Sequence, residues 1–202
     1  MAEEQLEMRK LAESIAKEIS VMATESKWAT RFVWAAICQG ASVSLLTLLL
    51  VFGELGVLHP PVSLLINVTV PGIWIALGYL AYLIVGVVGM AVTALFYQYL
   101  EVNLKSPYTG GAQTLAWIHL VLSNVGVIGA AGLVIYAGYV TGVATLPAQL
   151  GGLAMSMADV EATMLKQFLI PIAVFASLTI LGVALGGLGY VIVYKARPKA
   201  QF

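Results

Sequence analysis

His119 and Asn124 interrupt a segment of otherwise apolar and small residues, TLAWIHLVLSNVGVIGAAGLVIYAGYVTG, at positions 114–142. An imidazole in such a segment can serve as an axial haem ligand or as a contact for a quinone. An ionisable side chain inside a membrane-spanning segment is by default a functional hypothesis. The structural alternative is a neutral imidazole that a neighbouring hydroxyl or carbonyl group satisfies. We expect His119 to be buried and hydrogen-bonded at a helix contact, and we keep ligand binding as the alternative.

A six-coordinate haem at His119 would need a second axial ligand at the same depth. His59, the other histidine, lies beyond the far end of the first apolar segment and cannot reach that level. A bis-histidine haem on one chain is therefore excluded, and Met90 is the remaining soft ligand that can approach. The predicted cofactor-binding residues are thus His119 and Met90, with haem as the candidate cofactor, whereas the favoured expectation is that this chain binds none.

His59, in the motif LHPP, also suggests a metal site, because imidazole is the commonest metal ligand in proteins. Met155 and Met157 belong to a different connecting segment that could meet it in space. Imidazole combined with thioether sulfurs would suit Cu(I). We favour the alternative, in which these methionines pack against lipid or against the protein core.

The composition of the chain is that of a membrane protein. Hydrophobic residues make up 60% of the 202 residues and charged residues 10%, whereas soluble domains have roughly 45–50% and about 25%. The mean hydropathy is +0.95. Because a soluble globule could not bury this much apolar surface, the sequence predicts an all-α integral membrane protein surrounded by the lipid bilayer. The formal net charge is zero, so we expect no nucleic acid partner.

Four continuous apolar stretches are long enough to cross a bilayer, since a spanning helix needs about 20 such residues. Their continuity excludes the alternating strands of a β-barrel. The sequence therefore predicts a four-helix membrane domain over residues 27–197 and a short tail at 198–202. The predicted spans are, approximately, residues 29–54, 72–99, 114–141 and 168–194.

The distribution of basic residues predicts the orientation of the chain. Basic residues concentrate before the first span and after the last. Lys166 is the one basic residue in the two predicted outer loops, residues 55–71 and 142–167. By the positive-inside rule both termini face the cytoplasm. The charged N-terminus shows no signal peptide, so we expect a multi-pass protein of the plasma or inner membrane. Residues 1–26 are predicted to form an amphipathic helix on the inner surface, because apolar residues recur there at helical spacing. They are Met8, Leu11, Ile15, Ile19 and Met22.

Small residues at three- and four-residue spacing predict where the helices touch. Lipid tails are as apolar as the helices, so association depends on close approach of the backbones, which small residues allow. Such spacing occurs in the second, third and fourth spans. The predicted packing residues are Gly86, Gly89, Gly126, Gly129, Ala130, Gly182 and Gly186.

The second and third spans, WIALGYLAYLIVGVVGMAVTALFYQYLE and LAWIHLVLSNVGVIGAAGLVIYAGYVTG, resemble the small four-helix relatives of haem–copper oxidase subunit I. In the full-length family, histidines from several helices hold two haems and a copper ion. Here Trp74 and Leu77 stand where such relatives often carry histidine, and His119 is the matched ligand. The resemblance implies a subunit or a degenerate paralogue within a respiratory or other metal-dependent membrane oxidoreductase.

These observations favour an accessory subunit of a membrane oxidoreductase complex, which is not catalytic on its own and which packs against other membrane subunits. It could shape a haem or quinone environment near His119. One alternative is a small homo-oligomeric transporter or channel, and a second is a single-chain b-type cytochrome with His119 as its ligand. The polar residues that could line a transport pathway are Gln39, Thr93, Ser123 and Asn124.

Overall fold

The computed structural model describes residues 5, 7–11, 13–14 and 26–197, and within that part of the chain all regular secondary structure is helical. Four long helices and one short helix follow one another. We number them α1 (Lys27–Gly56), α2 (Val62–Val68), α3 (Ile73–Asn103), α4 (Gly110–Thr145) and α5 (Met157–Ala196).

Helices α1, α3, α4 and α5 are each long and apolar enough to cross a membrane, with mean hydropathies of 2.0 to 2.5 over their most apolar stretches. The shortest has 30 residues, and a helix of that length extends about 45 Å at 1.5 Å per residue. The prediction of four such helices is confirmed. Together they suggest a multi-pass membrane protein.

Helix α5 begins at Met157, eleven residues before the start of the predicted last span at about residue 168. Ser156 caps its N-terminus by accepting a hydrogen bond from the Asp159 backbone N–H at 3.2 Å. Residues Glu161–Leu165 of this helix form a π-helical turn. Pro171 lies inside the α-helix that follows this turn. Proline is tolerated inside membrane helices because neighbouring groups satisfy the backbone carbonyl that it leaves without a donor.

The long helices run in alternating directions, which gives the bundle two distinct ends. At one end, the start of α1, the end of α3, the start of α4 and the end of α5 meet in an aromatic cluster that includes Trp28, Leu100, Tyr108 and Val193. We call this the terminal end. At the other end, the loop end, helix α2 packs Val62 and Leu65 against Ile75 and Leu146.

Helices α4 and α5 make the most extensive helix contact, and glycines allow it. A Cβ atom at Gly126 would come to 2.5 Å of the Thr179 backbone nitrogen and 2.7 Å of the Phe175 carbonyl oxygen. A Cβ at Gly182 would come to 2.8 Å of the Ser123 nitrogen. Real Cβ atoms do not approach a backbone this closely, so any larger residue at these positions would force the two helices apart.

The other predicted packing residues differ in how tightly they are enclosed. Cβ atoms at Gly129 and Gly186 would overlap the rings of Phe175 and His119, respectively. At Gly86 the nearest atoms would belong to Tyr82 of the same helix, at 2.9 Å, followed by Gln39 of α1 at 3.3 Å. A Cβ at Gly89 would make only an ordinary contact within its own helix, and Ala130 is half-buried.

The predicted amphipathic helix at residues 1–26 is described only in part. The described residues among positions 5–14 are helical and exposed, and they include Met8 and Leu11 of its apolar face. Ile15, Ile19 and Met22 lie outside the described residues, as does the predicted tail at 198–202.

Candidate functional site

A cavity of about 380 Å³ lies between α3, α4 and α5 near the terminal end. We call it the His119 cavity. Its lining combines aromatic rings, small and aliphatic residues and a few hydroxyl groups, without a charged side chain. The lining residues are Thr93, Phe96, Tyr97, Tyr108, His119, Val183, Gly186, Gly187, Tyr190 and Val191.

His119 lies where three helices contact α4. Its side chain is buried, and its Nδ1 lies 3.3 Å from the hydroxyl oxygen of Tyr97 on α3. The ring of Phe32 on α1 packs at 4.9 Å between centroids, and Gly186 of α5 provides the space that the imidazole occupies. The neutral ring accepts at one nitrogen and donates at the other. If the Tyr97 hydroxyl donates to Nδ1, the proton lies on Nε2, which remains a donor.

Tyr108 lines the same cavity, and its hydroxyl group is unpaired. It lies in the connection between α3 and α4, with only 5% of its surface exposed, and its ring centroid is 4.8 Å from that of Tyr97. Its hydroxyl oxygen is buried and finds no hydrogen-bond partner among the described residues. Burial raises the pKa of the Tyr108 phenol, as do the nearby Tyr97 and Glu101. Tyr108 is therefore a neutral hydrogen-bond donor at physiological pH.

Glu101 fixes the backbone around this cavity. One carboxylate oxygen accepts from the Ser26 hydroxyl at 2.5 Å and from the Trp28 backbone N–H at 3.3 Å. The other oxygen accepts from the Tyr108 backbone N–H at 3.4 Å. The same carboxylate thus holds the start of α1, the end of α3 and the Tyr108 loop together, and an anion at the N-terminus of α1 is also favoured by the helix dipole.

Met90, the predicted partner of His119 for a haem, has a different neighbour. Its side chain is buried, and its sulfur accepts a hydrogen bond from Asn124 Nδ2 at 3.7 Å. Met90 does not belong to the lining of the His119 cavity. As placed, the two side chains do not face one cavity. The haem held by His119 and Met90 stays a prediction, to which these contacts add no support.

The predicted metal residues lie at the loop end. His59 is exposed in the connection after α1. Met155 is half-buried, and its backbone N–H donates to the Ala144 carbonyl of α4 at 2.9 Å, while Met157 is the first residue of α5. Within the described ranges, no three His, Cys, Asp or Glu side chains lie close enough to hold a metal ion. The copper hypothesis, which depends on thioethers, stays a prediction.

Two of the four polar residues of the proposed transport pathway, Gln39 and Asn124, bond to each other at a helix contact, and Thr93 lines the His119 cavity. Asn124 Oδ1 accepts from Gln39 Nε2 at 2.9 Å, and Asn124 Nδ2 donates to the Leu120 carbonyl at 2.6 Å. Ser123 is buried against Gly182 of α5. The Asn124 carboxamide therefore joins α1 to α4 instead of facing an open passage.

A second cavity, of about 360 Å³, lies at the loop end. We call it the loop-end cavity. Its walls are aliphatic and aromatic side chains of α1, α2, α3 and α4 together with one glycine. The lining residues are Leu46, Leu49, Leu50, Leu58, Val62, Ile75, Tyr82, Ile128, Gly132, Ile135, Tyr136 and Tyr139.

Sequence reasoning identified His119 but missed Tyr108 and the role of Glu101. Tyr108 lies in a short connection without periodicity, and Glu101 binds Ser26 across 75 positions of the chain. No local pattern indicates such contacts. The hint that could have found them is that Glu101 lies in the last turn of α3 and Tyr108 in the connection that follows, which leads directly to the helix of His119.

No protein-family model, curated protein or solved structure matches this chain.

Proposed function

We propose that this chain is a multi-pass protein of the cell membrane with both termini in the cytoplasm. The support is the distribution of charge over the described residues. The terminal end carries Lys27, Arg31, Lys105, Lys195 and Arg197, whereas the described loop end carries Lys166. The guanidinium of Arg31 lies 4.4 Å and 4.6 Å from the ring centroids of Trp28 and Trp117. Basic residues combined with tryptophans are typical of a membrane interface on the cytoplasmic side.

Single cysteines test this orientation, with Cys38→Ser as the background. Thr109 and Gln149 are both exposed, and they lie at opposite ends of the bundle. A membrane-impermeant thiol reagent added to intact cells should label Gln149→Cys and should reach Thr109→Cys only after the membrane is opened. Labelling of Thr109→Cys in intact cells would contradict the orientation.

Within the membrane, the chain acts as an accessory subunit of an oxidoreductase complex, where it packs against other subunits and shapes a binding environment. The observation that carries this proposal is the His119 cavity, where an imidazole and phenol groups line a space within the apolar bundle. Neutral hydrogen-bonding groups in an apolar cavity are suited to orienting a ligand. The resemblance of the second and third spans to oxidase relatives is the support from sequence.

The two alternative functions receive less support from the geometry. A b-type cytochrome would need a second ligand facing His119, whereas Met90 binds Asn124. A channel would need polar groups along an open passage, whereas the Asn124 carboxamide is bonded to Gln39 and Leu120.

Purification from native membranes in a mild detergent tests the accessory role. We expect the chain to co-purify in fixed stoichiometry with subunits that carry redox cofactors, visible as a haem or flavin spectrum of the complex. Deletion of the chain should lower the electron-transfer activity of that complex. A chain that purifies alone, with unchanged activity in the deletion strain, would overturn the proposal.

A further inference from the structure

We propose that the His119 cavity binds the headgroup of a lipid-soluble quinone, with the hydroxyl of Tyr108 as the donor to one of its carbonyl oxygens. The inference rests on the proposed function, because a quinone is a ligand that a membrane oxidoreductase subunit would have reason to hold. It concerns binding and orientation of the headgroup.

The unpaired hydroxyl group of Tyr108 is the first argument. A buried hydroxyl without a partner destabilises the protein, because it gives up its hydrogen bonds to water and gains none. Tyr108 is 5% exposed, lines the cavity and has no partner among the described residues. A ligand with a carbonyl oxygen would satisfy this donor.

The chemistry of the lining gives the second argument. Four aromatic rings line the cavity, those of Phe96, Tyr97, Tyr108 and Tyr190. Aromatic rings pack favourably on another ring in offset or edge-to-face arrangements with centroids about 4.5–7 Å apart. A charged ligand would lose its hydration without gaining an ionic partner in this lining. A neutral, planar ring with acceptor oxygens meets these conditions, and its volume fits a cavity of about 380 Å³.

The position of the opening gives the third argument. The cavity reaches the side of the bundle between α3 and α5, where Phe96 and Val183 are each 53% exposed and Val191 is 46% exposed. These apolar residues belong to helices that we propose to be surrounded by lipid. A ligand would therefore enter from the bilayer, and an isoprenoid tail could extend along Val183 and Val191.

Equilibrium binding to the full chain in lipid nanodiscs tests the inference. The probe is decylubiquinone, and the control probe is decylbenzene, which has a ring and a similar tail but no carbonyl oxygen. We expect saturable binding of the quinone at about one per chain, at least about tenfold tighter than decylbenzene. Tyr108→Phe should weaken quinone binding about fivefold, since one hydrogen bond is lost. Tyr139→Phe, the same change in the loop-end cavity, should leave the affinity unchanged.

Tyr108→Phe should fold, and its stability without ligand is a second readout. Because the hydroxyl is unpaired, its removal should leave the melting temperature of the ligand-free protein unchanged or raise it. A lower melting temperature would show a structural role for this hydroxyl and overturn the inference. Equal affinity of wild-type chain and Tyr108→Phe for the quinone, or equal affinity for both probes, would overturn it as well.

Failure of this inference is distinguishable from failure of the proposed function. A chain that co-purifies with redox subunits but binds the two probes equally would refute the quinone and leave the accessory role. A chain that purifies alone but binds the quinone through Tyr108 would refute the accessory role and keep the binding site.

Discussion

The His119 cavity and the loop-end cavity are nearly equal in volume, about 380 and 360 Å³, but they differ in chemistry. The first offers an imidazole, an unpaired phenol and the hydroxyl of Thr93 beside aromatic rings. The second is formed largely by leucine, isoleucine, valine and tyrosine side chains. Volume alone therefore does not distinguish a binding site from an imperfection of packing, whereas buried polar groups with unused hydrogen-bonding capacity do.

The two ends also differ in how a carboxylate holds them together. Glu101 at the terminal end is half-exposed and joins three segments through Ser26, Trp28 and Tyr108. Glu54 at the loop end is exposed and binds a single short segment, Ser63 through its backbone N–H at 2.7 Å and its hydroxyl at 2.5 Å, and the backbone of the adjacent Val62. Of these two carboxylates, the one at the end with the polar cavity therefore joins more segments of the chain.

The largest expected effect comes from the most extensive helix contact, the α4–α5 interface, whose α5 side also lines the His119 cavity. Gly126→Leu should destabilise the fold by about 3 kcal/mol, because the side chain would meet the α5 backbone. Gly132→Leu, six positions later on the same helix, should be neutral or stabilising, since nothing lies within 4 Å of its Cβ and leucine favours a helix over glycine. Unfolding in mixed detergent micelles measures both. Equal stability of the two variants would refute the close approach of α4 and α5.

The comparison of the two cavities can be tested by filling each of them. Gly187 and Gly132 line different cavities, and neither would place a Cβ within 4 Å of another group. Gly187→Leu should lower decylubiquinone affinity about tenfold, a change of about 1.4 kcal/mol. Gly132→Leu should leave the affinity unchanged, and both variants should melt near the wild-type temperature. An affinity loss in Gly132→Leu alone would assign the ligand to the loop-end cavity.

A smaller effect is expected from the carboxylates. Glu101→Gln should lower the free energy of unfolding by about 1 kcal/mol, because hydrogen bonds to a charged acceptor become neutral ones and the group is half-exposed. Glu54→Gln should have a smaller effect, since its carboxylate is exposed and binds a single short segment of the chain. Unfolding in mixed detergent micelles compares the stabilities of Glu101→Gln and Glu54→Gln. A larger loss of unfolding free energy for Glu54→Gln than for Glu101→Gln would contradict the greater contribution that we assign to Glu101.

The smallest effect concerns alkaline pH. Burial raises the pKa of Tyr108 above the ordinary phenol value of 10.0. The stability that its neutral form contributes is therefore complete below pH 10 and is lost as the pH rises above that value. Tyr108→Phe should remove this part of the alkaline destabilisation without altering stability near pH 7. Identical alkaline unfolding of both proteins would show that Tyr108 is not buried as described.

The sequence was sufficient to predict the helices, because hydropathy and the absence of interior charge act over whole spans of about 20 residues. The spacing of small residues also indicated where helices pack. The structure places Ser123 against Gly182 and Gly126 against Thr179. These features depend on periodicity along one helix, which a single sequence displays.

The remainder of the site depends on contacts between distant segments. Tyr97 reaches His119 from another helix, and Tyr108 enters the cavity from a connection that has no repeating pattern. The link between Ser26 and Glu101 requires the ends of α1 and α3 to meet. Helix α5 also begins before the predicted span at 168–194, since residues 157–167 are more polar than a typical span but continue the helix.

Photolabelling with an azidoquinone in native membranes, followed by peptide mapping, tests the contrast between the two ends most directly. Our account predicts adducts on the segments 93–108 and 183–191 that line the His119 cavity, and excess decylubiquinone should suppress them. Adducts confined to the loop-end segments 46–62 and 128–139, or labelling that the competitor does not reduce, would contradict it.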